Sequence, residues 1–374
     1  MKVKTYTLSE LATIKYGKNQ KKVASDTGTI PIYGTGGLMG YAIKSLYDKP
    51  SVLIGRKGTI DKVRYIEEPF WTVDTLFYTE INTELVIPRY LYYVLSLLDL
   101  SQYNEGTTIP SLRTETLNRL EFNIPSIKEQ RRILSFIVPI EDKIELNNKI
   151  NNNLLEQAMT LFLTEIRMSR NIESVTLGSI ADIKGGKRLP KGINLISTPN
   201  THPYIRVRDL NNAIFASLNT DYEFVDNETQ KGISRYIVSE GDVLLSIVGT
   251  IGLTAIVDKS LESANLTENC VKITNLQRIF PEYLLLYLRS KEGQEEISKG
   301  TVGAVQLKLP IKNIQAISVP IINEEQTISL REILVPIFTQ ISNNISETKE
   351  LMSIRNILLP KLISGELDVT NIDV

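Results

Sequence analysis

Four lysines stand close together near the start of the chain: Lys15, Lys18, Lys21 and Lys22, with no acid between Glu10 and Asp26. A second run, Lys184, Lys187, Arg188 and Lys191, follows Asp182, and Arg206 and Arg208 come next before Asp209. Clustered cations neutralise phosphates, and that is the chemistry such a pattern offers. One run alone would read as a solvated loop. Its recurrence beside glycines points to phosphate contact. Glycine-rich turns supply the other binding features. In YGTGGLMGY, Gly36 and Gly37 expose backbone amides and permit close approach. GRKGT carries Arg56 and Lys57, and arginine is the better fork for guanine O6 and N7. EGTTIPSLR holds Thr107 and Arg113, and KGTVGAVQLK holds Thr301, Gln306 and Lys308. Each turn taken singly is equally consistent with hairpin chemistry; two sets in one chain favour a binding role.

Covalent and metal chemistry lacks its residues. His202 is the only histidine and Cys270 the only cysteine, so one chain assembles no His/Cys metal site. A serine or cysteine triad would need His202 as base, and no GxSxG motif is present. His202 sits in STPNTHPY and reads as a loop residue. GRKGT lacks the spacing that places a lysine on nucleotide phosphates. There is no Asp-Pro-Pro-Tyr or Asn-Pro-Pro-Tyr run of the amino-methyltransferase kind. Glu141-Asp142-Lys143 has a nuclease-like spacing, but no Pro-Asp pair precedes it and its neighbours read as helix. The sequence predicts a chain with no catalytic site, metal or cofactor of its own.

The elements that position the cationic turns come twice. TLSELATIKYGK from Thr7 and TLGSIADIKGGK from Thr176 share seven of twelve residues. Val52-Leu53 with Gly58-Thr59-Ile60 returns as Val243-Leu244 with Gly249-Thr250-Ile251. Pro88, Tyr90, Leu91 and Leu95 return as Pro281, Tyr283, Leu284 and Leu288, and Val138-Pro139-Ile140 as Val335-Pro336-Ile337. Half the chain is a duplicated unit. Each unit opens with short β-rich runs and turns, then continues into one long helical pattern. Ser126 with Glu129, and Asn323 with Gln326, mark the two helix starts as capping boxes. Apolar residues then recur at Ile133, Ile137, Ile140 and Ile144, and at Ile333, Ile337, Ile341 and Ile345. Pro139 and Pro336 lie inside these patterns, so each helix is expected to kink or restart there. Asn147 or Asn148, and Asn344, interrupt the seams. They are either part of a solvated face or a buried pair that fixes the register of two antiparallel helices.

The expected architecture is α+β and pseudo-twofold symmetric, with two β-rich heads at residues 1–125 and 171–320. Two long, coiled-coil-like antiparallel helices, at 126–170 and 321–374 with the tail, separate them. Composition agrees with a multidomain globular chain: 374 residues, 42% hydrophobic and 23% charged, with 42 basic against 43 acidic groups. The lone cysteine suits a reducing compartment. The apolar stretch Tyr90–Leu98 falls short of the roughly 18 residues that span a bilayer, and MKVKTYTLSE lacks a signal-peptide core. A cytoplasmic location without membrane contact is expected.

This order of head, capped helix, head and capped helix, closing on LLPKLISGELDV, resembles the specificity subunit of type I restriction–modification systems over the whole chain. The two openings from Thr7 and Thr176 look like the starts of that family's target-recognition domains. Pro125 with Gln130-Arg131-Arg132-Ile133, and Pro320 with Glu325-Gln326, look like its helix starts. Lys361–Leu367 is the most specific local match. In the second helix, Thr327 and Ile328 stand where the first has two arginines, so contacts there are expected to differ. The resemblance implies a non-catalytic subunit that reads a bipartite site in double-stranded DNA, one half-site per head. The helices would set the nonspecific gap. Two modification subunits would bring S-adenosylmethionine, and restriction subunits would bring ATP-driven translocation and Mg-dependent cleavage. The competing readings are a duplicated protein-binding adaptor with a helical spacer and, disfavoured by the missing motifs, a freestanding DNA methyltransferase or nuclease.

Overall fold

A computed structural model describes residues 2–304 and 306–369; the end of the expected tail, 370–374, lies outside the described residues. In chain order the first head comprises β1 (Val3–Thr7), α1 (Leu8–Leu11), β2 (Ala12–Tyr16), β3 (Ile30–Gly34), β4 (Gly37–Ala42), β5 (Ser51–Gly55), β6 (Val63–Ile66), β7 (Trp71–Thr72) and β8 (Leu76–Ile81). It closes with α2 (Pro88–Ser96), α3 (Thr114–Asn118) and β9 (Glu121–Pro125), and α4 (Ile127–Met168) follows. The second head comprises β10 (Glu173–Thr176), α5 (Leu177–Ile180), β11 (Asp182–Gly185), β12 (Pro203–Ile205), β13 (Phe215–Ala216), β14 (Glu223–Phe224) and α6 (Asn227–Ile233). Then come β15 (Val243–Ser246), β16 (Thr254–Val257), β17 (Asn265–Leu266), β18 (Cys270–Thr274), α7 (Pro281–Arg289), α8 (Lys291–Gly300), α9 (Ile311–Gln315), β19 (Ser318–Ile321) and α10 (Glu324–Ser364).

The two heads share a plan. Each closes with its first and last strands paired antiparallel, Val3 opposite Pro125 and Glu173 opposite Ile321. The main sheet runs β2-β8-β5-β6 in the first head and β11-β18-β15-β16-β13 in the second. A smaller sheet runs β4-β3-β7 and, in the second head, β14-β12-β17. Repeated residues do the same work in both. Tyr90 and Tyr283 are fully buried on α2 and α7, each of which starts on a proline. Gly17 and Gly186 recur because a Cβ there would sit 2.0 Å from the carbonyl oxygen of Val73 or Thr267. The glycines beside the lysine runs are therefore used in packing, not held free for a ligand. The plan diverges in the small sheet, where β3 turns into β4 through two residues but residues 206–222 intervene between β12 and β14, and the second head adds α6 and α8.

Tertiary contacts divide the chain into residues 1–144 with 350–374, and residues 145–349. Each unit holds one head and a stretch of both long helices. In the first unit Ile133, Ile137, Leu359 and Leu362 join the core of the head. In the second, Ala158, Phe162, Leu330, Leu334, Phe338 and Ile341 do so. Neither helix restarts at its proline. Both α4 and α10 run unbroken through Pro139 and Pro336. A proline removes one helical hydrogen bond, and buried Ile133 and Ile137, like Leu330 and Leu334, tie the preceding helix into its head's core.

Both helix starts are capped. Ser126 N–H donates to Glu129 Oε2 at 3.0 Å, and Gln326 N–H donates to Asn323 Oδ1 at 2.8 Å. Cap-to-cap alignment places Gln130 opposite Thr327 and Arg131 opposite Ile328, one position away from the alignment expected from the sequence. Gln130, fully buried, fastens α4 to the first head. Its Oε1 accepts from Ile87 N–H at 2.7 Å, and its Nε2 donates to the carbonyls of Leu85 and Pro125, both at 2.9 Å. Thr327 bonds only locally, to Asn323 O at 3.0 Å and Ile322 O. Gln130→Leu strands these buried backbone groups and should cost roughly 3 kcal/mol, lowering the urea midpoint, whereas Thr327→Val should cost about 1 kcal/mol or less. Equal losses from the two changes would remove Gln130 as the anchor.

Within the second unit the seam between α4 and α10 is polar. Asn344 Nδ2 donates to Asn151 Oδ1 at 2.8 Å and Asn147 Nδ2 donates to Glu347 Oε2 at 2.8 Å. Asn147, Asn151 and Asn344 are all buried, and partner numbers fall as chain numbers rise, so these stretches run antiparallel. Asn344 thus pairs with Asn151, not with Asn147 or Asn148. Asn344→Leu alone leaves Asn151 unpaired and should cost about 1–3 kcal/mol, while Asn151→Leu with Asn344→Leu should recover most of that loss. A double-mutant cycle showing simple additivity would mean the two do not interact.

Candidate nucleic-acid interface

In the first head, the turn after β5 and the loop before α3 are stitched together. Gly58 N–H donates to Pro110 O, and Leu112 N–H donates to Arg56 O, both at 2.9 Å. The second head repeats the stitch, with Leu309 N–H donating to Ile247 O at 3.0 Å. Gly58 and Gly249 hold the matched turns at φ +88 and +81, which explains their recurrence. The β3–β4 turn lies beside this cluster, since Thr35 Oγ1 would be 3.8 Å from a Cβ on Gly58. Gly36, Gly37, Arg56, Lys57 and Arg113 are thereby gathered on one side of the first head. Thr107 is exposed on the same loop as Arg113. Arg64, which the sequence did not single out, belongs here too: its guanidinium lies over Gly37. Its strand belongs to the other sheet, so no spacing or register along the sequence announces it.

The cations differ in how free they are. Lys18, Lys21, Lys22, Lys57 and Lys191 are exposed and their ammonium groups form no ion pair among the described residues. Arg56 is half committed, donating to Asp74 O at 2.9 Å and lying 5.1 Å from the centre of the Tyr16 ring. Arg113 pairs with Glu105 at 3.0 Å, Arg188 with Glu268 at 3.4 Å, and Lys187 lies over the Tyr236 ring. Lys15 and Lys184 face Glu80 and Asp182. The first lysine run crosses the small sheet: Lys18 N–H donates to Thr72 O at 2.8 Å, and Ala24 bridges to Ala42. The run starts beside Arg56, which lies over the Tyr16 ring two residues before Lys18, and continues along the hairpin towards Ala42.

In the second head, Lys308 bonds through its backbone to Val302, both ways at 2.9 Å, with Gln306 exposed beside it. Thr301 is spent on the end of α8, where Oγ1 donates to Ile297 O at 2.8 Å. Arg206 is held inside the head by Asp209 and Glu223, and Arg208 leans on the same two acids. Burial lifts the Asp209 carboxyl to about 6, with Arg208 only partly opposing the rise. Arg206 therefore serves the internal network of residues 206–223. Sequence spacing offered no sign of this, because Glu223 lies far along the chain. The turn matching Arg56-Lys57 reads Ile247-Val248, so the two heads present different side chains from one frame.

The remaining reactive residues have structural work. His202 Nε2 lies 2.8 Å from Asn227 Oδ1. The Cys270 thiol is buried, which pushes it up to about 12. In the first unit Glu141 accepts from Tyr93 Oη at 2.5 Å and faces Arg89 and Arg355, so the Glu-Asp-Lys run belongs to helix packing. Among the described residues no helix is long and apolar enough to cross a membrane.

The duplicated frame has a counterpart among known proteins. The type I restriction modification DNA specificity domain matches residues 1–156 and again residues 169–351, and this chain belongs to that family. It is 23% identical over 356 residues to the type I restriction enzyme MjaIX specificity subunit of Methanocaldococcus jannaschii, covering 87% of this chain and 79% of that one. It is 22% identical over 378 residues to the HindI specificity subunit of Haemophilus influenzae, covering 79% and 81%. Its fold is similar to that of the type I restriction–modification S subunit from M. genitalium, with a TM-score of 0.61 at 18% identity over 97% of this chain and 96% of that one.

Proposed function

We propose that the chain is a non-catalytic reader of a split DNA site. Each head reads one half-site in double-stranded DNA, and the two long helices set the nonspecific gap between them. The observation that carries this is the duplication: one frame, twice, with different side chains on the matched turns. A reader of two unlike half-sites needs that arrangement. Lys18, Lys21, Lys22, Lys187 and Lys191 are the proposed phosphate contacts, joined by Arg188 and Arg208 once they leave their acid partners. Arg56, Lys57, Gly36, Gly37, Thr107, Arg113, Gln306 and Lys308 lie on the turns proposed to face bases.

Chemistry would then come from outside the chain. Two modification subunits bring S-adenosylmethionine, and restriction subunits bring ATP, Mg and the nuclease. The test is methyl transfer from labelled S-adenosylmethionine to DNA. The chain alone should transfer nothing, and the modification subunit alone should transfer at most weakly. Together they should methylate one split sequence. Transfer by the purified chain alone would overturn the proposal.

A further inference from the structure

In the first head Arg56 is held along its whole length. Its backbone N–H donates to Thr75 O at 2.8 Å, and its carbonyl accepts from Leu112 N–H at 2.9 Å. Its Nη1 donates to Asp74 O at 2.9 Å, and its guanidinium lies 5.1 Å from the centre of the Tyr16 ring. The ring is fixed in turn. It packs edge-on against fully buried Phe77 at 5.1 Å, and the two residues pair across β2 and β8. A guanidinium has five N–H donors in one plane. With Nη1 on a carbonyl, Nε and Nη2 remain as a parallel pair on the opposite edge. No carboxylate pairs with Arg56 among the described residues.

The duplication supplies a comparison within the molecule. In the second head the place of Arg56 is taken by Ile247, which is buried in the core, and the place of Tyr16 by Gly185. A Cβ on Gly185 would meet Ile311 Cδ1 at 3.5 Å, so an isoleucine lies where the ring would begin. The neighbouring glycines, Gly17 and Gly186, are kept in both heads. The frame therefore does not require the ring, and where the arginine goes the ring goes with it. A cation over an aromatic face is attracted to it, and a side chain ordered in advance gives up less freedom on binding. A phosphate can be met by a mobile point charge such as Lys18 or Lys57, whereas a base edge needs donors in a set plane. Guanine offers that edge two acceptors, O6 and N7. We infer that Tyr16 is a positioning residue: with the Asp74 carbonyl it holds the Arg56 guanidinium so that Nε and Nη2 meet O6 and N7 of one guanine in the first head's half-site. The inference rests on the split-site reading above and adds to it the residue that aims one contact.

The test uses the complex of this chain with its modification subunit. Duplexes of the mapped split site carry 7-deazaguanine, which lacks the N7 acceptor, in place of each guanine in turn. One position should weaken binding about tenfold. Arg56→Lys should abolish sensitivity at that position alone. Tyr16→Leu should cut it to about threefold, and Tyr16→Phe, which keeps the ring, should preserve it. Unchanged sensitivity at the other guanines shows that the head remains folded. Indifference of the unaltered complex to every replacement, or a split site without guanine, would overturn the inference. So would a Tyr16→Leu complex that discriminates as well as the unaltered one, or that loses discrimination at every guanine alike, since the ring would then serve the fold. An even loss of affinity after Arg56→Lys, with sensitivity kept, would make Arg56 a phosphate contact and overturn it too. If no split sequence is methylated at all, the underlying reading fails instead.

Discussion

Replacing Lys18, Lys21 and Lys22 with alanine is expected to weaken specific and nonspecific DNA binding together and to flatten the salt dependence. Each phosphate contact contributes about 0.9 to the slope of log K against log salt, so three lost contacts remove about 2.7. Over a fourfold rise in salt, that is roughly a 40-fold smaller loss of affinity. The matching change in the second head, Lys187, Arg188 and Lys191 to alanine, should have a smaller effect. Arg188 faces Glu268 and Lys187 lies over Tyr236, so each gives up an internal contact to reach a phosphate. Lys18, Lys21 and Lys22 have no such side-chain partners among the described residues. Anisotropy titrations across salt would check both. An unchanged slope after removing both runs would make them solvated loops.

Lengthening the helices should change the gap in the target and nothing else. The units meet in sequence after Ile144 on α4 and after Lys349 on α10. Four residues inserted at both places leave each unit's packed helix stretches intact, including the Asn151–Asn344 pair. The insertion adds about 6 Å and some 400° of rotation, a net turn of roughly 40°. B-DNA turns about 35° per base pair, so rotation favours a gap longer by one pair, while translation alone would favour nearly two. Rotation should dominate, because a misaimed side chain loses its hydrogen bonds to a base edge. Both half-site sequences should survive, with the gap longer by one to two base pairs. An unchanged gap in the mapped methylation would remove the ruler.

What could be read from the sequence was local or periodic. Recurring Thr7 and Thr176 segments, the caps at Ser126 and Asn323, and the apolar spacing all announce themselves within a few residues and each corresponds to an element, although Ile333 is exposed and Leu330, Leu334 and Phe338 are buried on α10 in its place. Partners distant along the chain did not announce themselves. Asn151 and Glu347 complete the polar seam, but only helix register selects them over Asn148. Gln130 reads as a polar residue near a helix start, yet it is buried because Leu85, Pro125 and Ile87 offer it three backbone partners. Arg206 read as a free cation until Glu223 came beside it through the pairing of β12 with β14. Charge counting along a chain cannot see neutralisation across a sheet. Nor could it see that Gly17 and Gly186 are pressed against carbonyl oxygens.

Two unlike heads on one frame are proposed to read two half-sites at a fixed separation. Sequencing the methylated bases in cells that carry this chain with its modification subunit tests this most directly. One motif is expected, with two specific half-sites, each a few base pairs long, divided by a gap of constant length and free sequence. A continuous motif, a variable gap or methylation that does not depend on this chain would contradict it.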